Sequence, residues 1–224
     1  MNTNIDLAKA GPIVLAMAAA ITENQARLGE IDGATGDGDH GINMGKGFRL
    51  AAARLAEKPG FTLAEGFATL GDTLLGDIGG SMGPLYGTFF SDMAETLTTP
   101  TLDREGCSRM LHAGLAAIQS LGQAKPGDKT LVDVLAPSIA AFDQAPDFPT
   151  ALGALKTAAA ESLEATRTMV ARLGRAARLG ERSRGHLDAG AASCALLLTT
   201  LSNGLLSSPL PSREGPADGG PQTQ

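Results

Sequence analysis

The feature that most constrains this chain is a rhythm. Apolar stretches of helical length are interrupted by four Gly-rich loops, at residues 33–41, 79–84, 122–128 and 174–190. Glycine opens backbone conformations that other residues avoid, and proline removes an N–H, so both end helices. Between the breaks, apolar residues recur at i, i+3 and i+4, the spacing of one helix face. Helices are therefore expected over 5–28, 42–57, 62–77, 84–97, 103–121 (with Asp103 as its cap), 149–173 and 188–206. Residues 130–143, TLVDVLAPSIAAFD, have the length of a helix but the valines of a strand, and Pro137 implies a kink or break. The count is about eight helices with no assured strand. In an up-and-down bundle, alternate connections lie at one end, so the four Gly-rich loops are expected to converge on one composite site.

Composition agrees with close helix packing. Alanine (37) and glycine (29) exceed a quarter of the 224 residues, while there is one tyrosine and no tryptophan. Small residues let helices approach each other. With 18 basic against 24 acidic side chains, and no basic run, nucleic acid is not the expected partner. Cys107 and Cys194 make neither a disulfide framework nor a CxxC metal site, which fits a reducing cytoplasm. The apolar run PIVLAMAAAI at 12–21 is too short to span a bilayer and follows a segment with Asp6 beside Lys9, a poor signal-peptide start. It is read as a buried first helix. No other stretch is read as approaching transmembrane length, so a soluble, cytoplasmic chain without membrane association is expected. Residues 1–207 read as one domain, and 208–224, rich in Pro, Gly and polar residues, as a disordered tail.

The first loop, IDGATGDGDHG, crowds Asp32, Asp37 and Asp39 into eight residues. Carboxylates so close repel unless a cation neutralises them, and an all-oxygen set suits Mg²⁺ or Ca²⁺. An exposed acidic turn is the equal alternative, because Asp and Gly are common turn residues. Three motif likenesses fail here. GDGDHG matches GxGxxG but follows a helical segment rather than a strand. DGD begins like an EF-hand loop, yet Ile42 and Phe48 stand where Gly and Glu are required. Gly122 to Thr130 resembles a P-loop with one residue too many.

The second loop, GGSMGP, opens a helix and so presents free N–H groups and a positive dipole end suited to phosphate; a plain connection is the alternative. The fourth loop carries Arg175, Arg178, Arg182 and Arg184 on an acidic protein, which reads as an anion site, an interface, or a solvated basic loop. His40 beside the acids reads as a site residue or a helix cap. Together, clustered acids, two anion-friendly loops and an Arg loop describe the parts of a Mg²⁺-nucleotide site.

The segments GDGDHGINMGKGF, GGSMGPLYG, GDKTLVDVL and GRAARLGERSRGHLDAGAAS, in that order, resemble the L subunit of dihydroxyacetone kinase, the DhaL or Dak phosphatase-like domain family, over about residues 5–206. The resemblance implies an all-α fold, a barrel of about eight antiparallel amphipathic helices, with ADP or ATP bound at one end. It implies that Asp32, Asp37 and Asp39 hold two Mg²⁺ ions. It places His40, Gly41, Ile42 and Asn43 in the first phosphate-contacting turn, and Ser81 and Met82 in the second. Gly122 and Leu131 would lie near the adenine. Arg175 matches the family arginine, and Asp188, Ala189 and Gly190 match its Asp-Pro-Gly segment, with Ala189 replacing the proline. Met82 stands where many relatives carry a smaller residue.

The family divides its work. A separate K subunit holds the triose through a hemiaminal to a histidine, and the L subunit delivers the phosphoryl group, so no catalytic acid or base is assigned to this chain. One branch keeps ADP bound and rephosphorylates it from a phosphotransferase-system subunit; the other exchanges ATP. HGINM resembles the first and GDGD the second. The expectation is an ATP-using kinase subunit for dihydroxyacetone or a keto-tetrose such as erythrulose. The alternatives are a phosphotransferase-coupled subunit with tightly bound ADP, a regulatory binding module, and a domain of the fatty-acid-kinase type. A homodimer is compatible with the resemblance.

Overall fold

The computed structural model describes residues 4–208, so the expected tail, apart from Ser208, lies outside the described residues. The helices are α1 (Leu7–Ala10), α2 (Pro12–Glu23), α3 (Gln25–Gly33), α4 (His40–Ala56), α5 (Leu63–Asp77), α6 (Met82–Glu95), α7 (Arg104–Gly122), α8 (Val132–Gln144), α9 (Phe148–Ala165) and α10 (Ala189–Ser207). Two short 3₁₀ segments, Thr166–Thr168 and Ala176–Ser183, lie between α9 and α10. The expected first helix over 5–28 is instead α1, α2 and α3, interrupted at Gly11 and at Asn24, whose φ of −96° and ψ of 7° leave the helical region. Counting α1 to α3 as one broken rod gives eight. The region 130–143 is helical, and Pro137 sits inside α8. The expected helix over 149–173 ends early, at Ala165.

A minimal sheet was not foreseen. Strand β1 (Ile5–Asp6) pairs antiparallel with β2 (Thr101–Leu102), with Ile5 opposite Leu102, and ties the start of the chain to the α6–α7 connection.

Polar caps mark the helix starts. Thr62 and Glu65 form a reciprocal capping box at α5, with bonds of 3.2 and 2.7 Å. Asp103 accepts from Gly106 N at 2.7 Å at α7, as its sequence position suggests. Asp147 and Asp188 do the same for α9 and α10.

Successive helices pack on one another from α4 to α10, and α10 returns against α2, so the order of neighbours is closed. One continuous apolar core fills the interior, with Phe48, Phe67 and Phe90 fully buried and in edge or tilted ring contact. Cys107 and Cys194 are buried, unbridged members of it. By length and composition α10 could cross a membrane, with a mean hydropathy of 1.4 over 18 residues. That corrects the reading that no such stretch exists. Its burial among α2, α8 and α9 accounts for the composition: a helix apolar on nearly every face is a core helix.

Candidate functional site

All four Gly-rich connections line one cleft of about 390 Å³. The connections between them, 57–62, 96–103 and 145–147, contribute nothing to its wall. Alternation of helix direction sorts the loops in this way, and the convergence expected from the loop order is what the fold displays.

The acids are organised by a turn. The Asp32 carbonyl at the end of α3 accepts from Thr35 N at 3.0 Å and Gly36 N at 2.5 Å. The Asp32 carboxylate accepts from His40 N, the first amide of α4, at 3.3 Å. Gly36 leaves room for the Asp32 carboxylate, since a Cβ there would lie 2.5 Å from Asp32 Oδ1 and push it aside. One oxygen each of Asp32, Asp37 and Asp39 lie within 4.8 Å of one another. Arg175 reaches across from the fourth loop to pair with Asp37, and lies 3.9 Å from Asp39. An oxygen-only donor set in a glycine-shaped turn, with two of its acids exposed to solvent, fits a hard divalent cation.

Two helix starts face the cleft. At α4, His40 and Asn43 are on the wall. Gly41 and Ile42 are not: Gly41 packs against the Gln25 and Gly29 backbone, and the Ile42 side chain is 59% exposed. What those two residues offer is first-turn N–H groups, which have no partner within a helix. At α6, Gly79, Gly80, Ser81 and Met82 form the wall, with Gly80 in the left-handed region at φ 75°. Burial lowers the His40 imidazole below its usual range, partly offset by Asp32.

The third loop supplies Gly122 and Leu131, which with Leu85 and Ile118 make an apolar back wall. It is braced by Asp133, whose carboxylate accepts from Gly127 N at 2.5 Å and Thr130 N at 2.7 Å. The fourth connection brings Arg175, Asp188, Ala189 and Gly190. Burial raises the Asp188 carboxyl to about 6, against the opposing pull of its bond from Ala191 N.

Thirteen of the fifteen site residues expected from sequence thus share one cleft; Gly41 and Ile42 stand behind it. The arginines of the fourth loop separate. Arg175 faces the acids, and Arg184 donates to the Thr168 carbonyl and pairs with Glu181. Arg178 and Arg182 make no ion pair among the described residues.

Sequence reading passed over three contributors. Lys129, noted only as a failed P-loop lysine, is 1% exposed and donates to the carbonyls of Met169, Ser183 and His186 at 3.2, 2.5 and 2.8 Å. Tyr86 and Ser193 lie behind His40. Being the single tyrosine was the only signal available for Tyr86. Ser193 had none.

A family model described as the DAK2 domain matches residues 34–203, a span that opens two residues beyond Asp32. The chain is 40% identical over 177 residues to the "PEP-dependent dihydroxyacetone kinase 1, ADP-binding subunit DhaL" of Listeria innocua, covering 79% of this chain and 86% of that one. Three further DhaL subunits, named PEP- or PTS-dependent, match at 36% to 40% identity. An L-erythrulose 1-kinase of Mycolicibacterium smegmatis is 38% identical over 80% of this chain, which spans only 32% of that enzyme. Among solved structures, the dihydroxyacetone kinase of C. freundii in complex with AMP-PNP and Mg²⁺ superposes with a TM-score of 0.67 at 28% identity. That match covers 87% of this chain and a third of the kinase chain (33%).

Proposed function

We propose a function from the premise that this chain belongs to the DAK2 domain family: it is the nucleotide-binding, phosphoryl-transferring subunit of a dihydroxyacetone kinase. In this reading, residues 1–207 form one cytoplasmic domain that works with a separate K subunit carrying the substrate. The observation that carries it is the meeting, in one cleft, of three carboxylates, two helix starts, Arg175 and an apolar back wall.

Mg²⁺, two ions in this reading, would be held by Asp32, Asp37 and Asp39 and would supply charge neutralisation on the phosphates. The chain's own residues do the rest. First-turn amides of α4 and α6 donate to phosphate oxygens. His40, Asn43 and Ser81 fix the phosphates' position. Arg175 holds Asp37 and faces the same anions. Leu131, Leu85 and Ile118, beside Gly122, exclude water from one face of the adenine. Phosphoryl transfer depends on positioning and charge, which such a site provides without an acid or base of its own.

The GDGD spelling of the first loop points to free ATP as donor. The four DhaL relatives, each a PEP- or PTS-dependent ADP-binding subunit by name, favour the other branch, in which a phosphotransferase-system subunit recharges bound ADP. The test is reconstitution. The chain is mixed with a K subunit and dihydroxyacetone or erythrulose, and supplied either with ATP alone or with phosphoenolpyruvate and phosphotransferase proteins. Turnover only in the second mixture, with ADP co-purifying, supports the bound-ADP branch; turnover with ATP alone supports exchange. No turnover in either, with no nucleotide bound by calorimetry, overturns the reading.

A further inference from the structure

Tyr86, Ser193 and His40 form a polar line from the core to the cleft. The Tyr86 hydroxyl lies 2.7 Å from Ser193 Oγ and 3.2 Å from the Gly190 carbonyl oxygen. Ser193, fully buried, lies 2.9 Å from His40 Nε2. Its hydroxyl is also 3.0 Å from the Gly190 carbonyl and 3.2 Å from that of Ala189. The His40 ring stands on the cleft wall, and its Nδ1 has no hydrogen-bond partner among the described residues.

Proton bookkeeping gives this line two complete arrangements. Tyr86, Ser193 and a neutral imidazole each have one proton to donate. In the first arrangement, Tyr86 donates to Ser193 and Ser193 to His40 Nε2, which leaves Nδ1 as an N–H towards the cleft. In the second, His40 Nε2–H donates to Ser193, Ser193 donates to the Tyr86 oxygen, and Tyr86 donates to the Gly190 carbonyl. Nδ1 then meets the cleft as a lone pair. No heavy atom has to move between them, because the His40–Ser193 and Ser193–Tyr86 contacts each hold one proton in both, and the Gly190 carbonyl oxygen has a second lone pair for Tyr86 beside the one its helix uses. What decides is the group against Nδ1. An anionic oxygen needs a donor there, and a lone pair would repel it.

We propose that Tyr86 and Ser193 are positioning residues for His40, forming a hydrogen-bond switch whose direction is set by the cleft. A phosphate oxygen selects the order Tyr86 to Ser193 to His40, with Nδ1–H as the ligand's donor. The inference rests on the nucleotide reading of the cleft. It adds a role for two residues behind the His40 ring, Ser193 off the cleft wall and Tyr86 at its buried end.

The chain is well suited to the test, since it has three histidines, one tyrosine and no tryptophan. Ring-¹⁵N-histidine protein is titrated with MgADP by NMR, with His112 and His186 assigned by replacement, and calorimetry is run in parallel. Wild type, Ser193→Ala and Tyr86→Phe are compared, with Tyr86 fluorescence as a second readout. The expected result is that bound MgADP gives His40 as the Nδ1–H tautomer. Ser193→Ala and Tyr86→Phe should shift the His40 Nε2 signal even without ligand. Ser193→Ala should weaken MgADP about three- to tenfold, the worth of one such hydrogen bond. A merely structural role would change affinity or stability and leave the His40 tautomer alone. Normal MgADP binding with identical His40 signals in all three proteins overturns the switch. Failure of the wild type to bind MgADP overturns the nucleotide reading and the switch with it, and calorimetry separates the two failures.

Discussion

The Lys129 ammonium donates to the carbonyl oxygen of His186 at 2.8 Å, joining two loops that lie 57 positions apart. With its further bonds to Met169 and Ser183, all three ammonium protons go to backbone carbonyls of the segment that carries Arg175. Lys129 itself sits at φ 61°, a left-handed conformation unusual outside glycine. Its place in the site is therefore as a tie beneath Arg175.

Lys129→Met keeps the stem and removes the donors. Three carbonyls lose a charged partner, that of Ser183 in a buried bond and those of Met169 and His186 in part-buried ones, and stability should fall by about 1–3 kcal/mol. Hydrogen exchange should rise selectively over 166–188, while α5 and α6 stay protected. Unchanged exchange in that segment would show that Lys129 ties nothing.

Asp37→Asn removes one of three clustered oxygen anions at an exposed position. Mg²⁺-dependent ADP binding should weaken by more than about tenfold, the usual scale of a lost charged ligand. Stability should change by no more than about 0.5 kcal/mol, as for most surface changes. Gly36→Ala is the companion, because its methyl group presses on the Asp32 carboxylate. It should weaken Mg²⁺ binding while every acid remains. Calorimetry with and without Mg²⁺ decides both.

Gly41→Ala tests the packing behind the phosphate turn. A Cβ there would fall inside the van der Waals shell of the Gln25 carbonyl and lie 2.6 Å from Gly29 N, both backbone atoms. The cost should be about 1–3 kcal/mol, lowering Tm by about 2–4 °C per kcal/mol at this chain size. Gly153, inside α9, meets nothing within 4 Å. Gly153→Ala should instead stabilise by about 0.5–1 kcal/mol, the helix preference for alanine. Denaturant titration of both variants checks the pair.

Asp188 gives the metal-free protein a pH signature. Its carboxyl is raised by burial to about 6, from an ordinary 3.8. The folded state therefore binds the proton more tightly than the unfolded chain. The stabilisation is fully present below pH 3.8 and is lost as pH rises through about 6. Its span is up to about 3 kcal/mol for a shift of this size. Asp188→Asn can still cap α10 and should flatten that part of the stability–pH curve. A wild-type slope retained in the variant between pH 4 and 6 would assign the effect to another group.

Much of the fold was legible because it is locally dictated. Lys58-Pro59-Gly60, Thr99-Pro100 and the Asp103 cap delimit helices by backbone chemistry alone: α4 stops at Ala56 and α6 at Glu95, before the two prolines, and α7 starts directly after Asp103. The cluster of Asp32, Asp37 and Asp39 was legible because eight residues of Gly-rich chain cannot separate three carboxylates far. The break at Asn24 was not legible, since its neighbours are ordinary helix formers and the bend comes from its own bond to the Ala20 carbonyl. The 130–143 segment was ambiguous because helix and strand templates both accept short apolar runs. Packing of α8 on α7, α9 and α10 decided for helix despite Pro137.

The sequence by itself determined where helices can start and stop, and that four Gly-rich loops fall on alternate connections. These follow from steric limits and hydrogen-bond supply within a few residues. The tertiary structure alone decided that Arg175 meets Asp37, that Ser193 lies under His40, and that Lys129 serves three distant carbonyls. Those partners are 138, 153 and up to 57 positions apart, by difference of their numbers. No local preference reaches so far; only the closed order of helices brings those atoms within bonding distance.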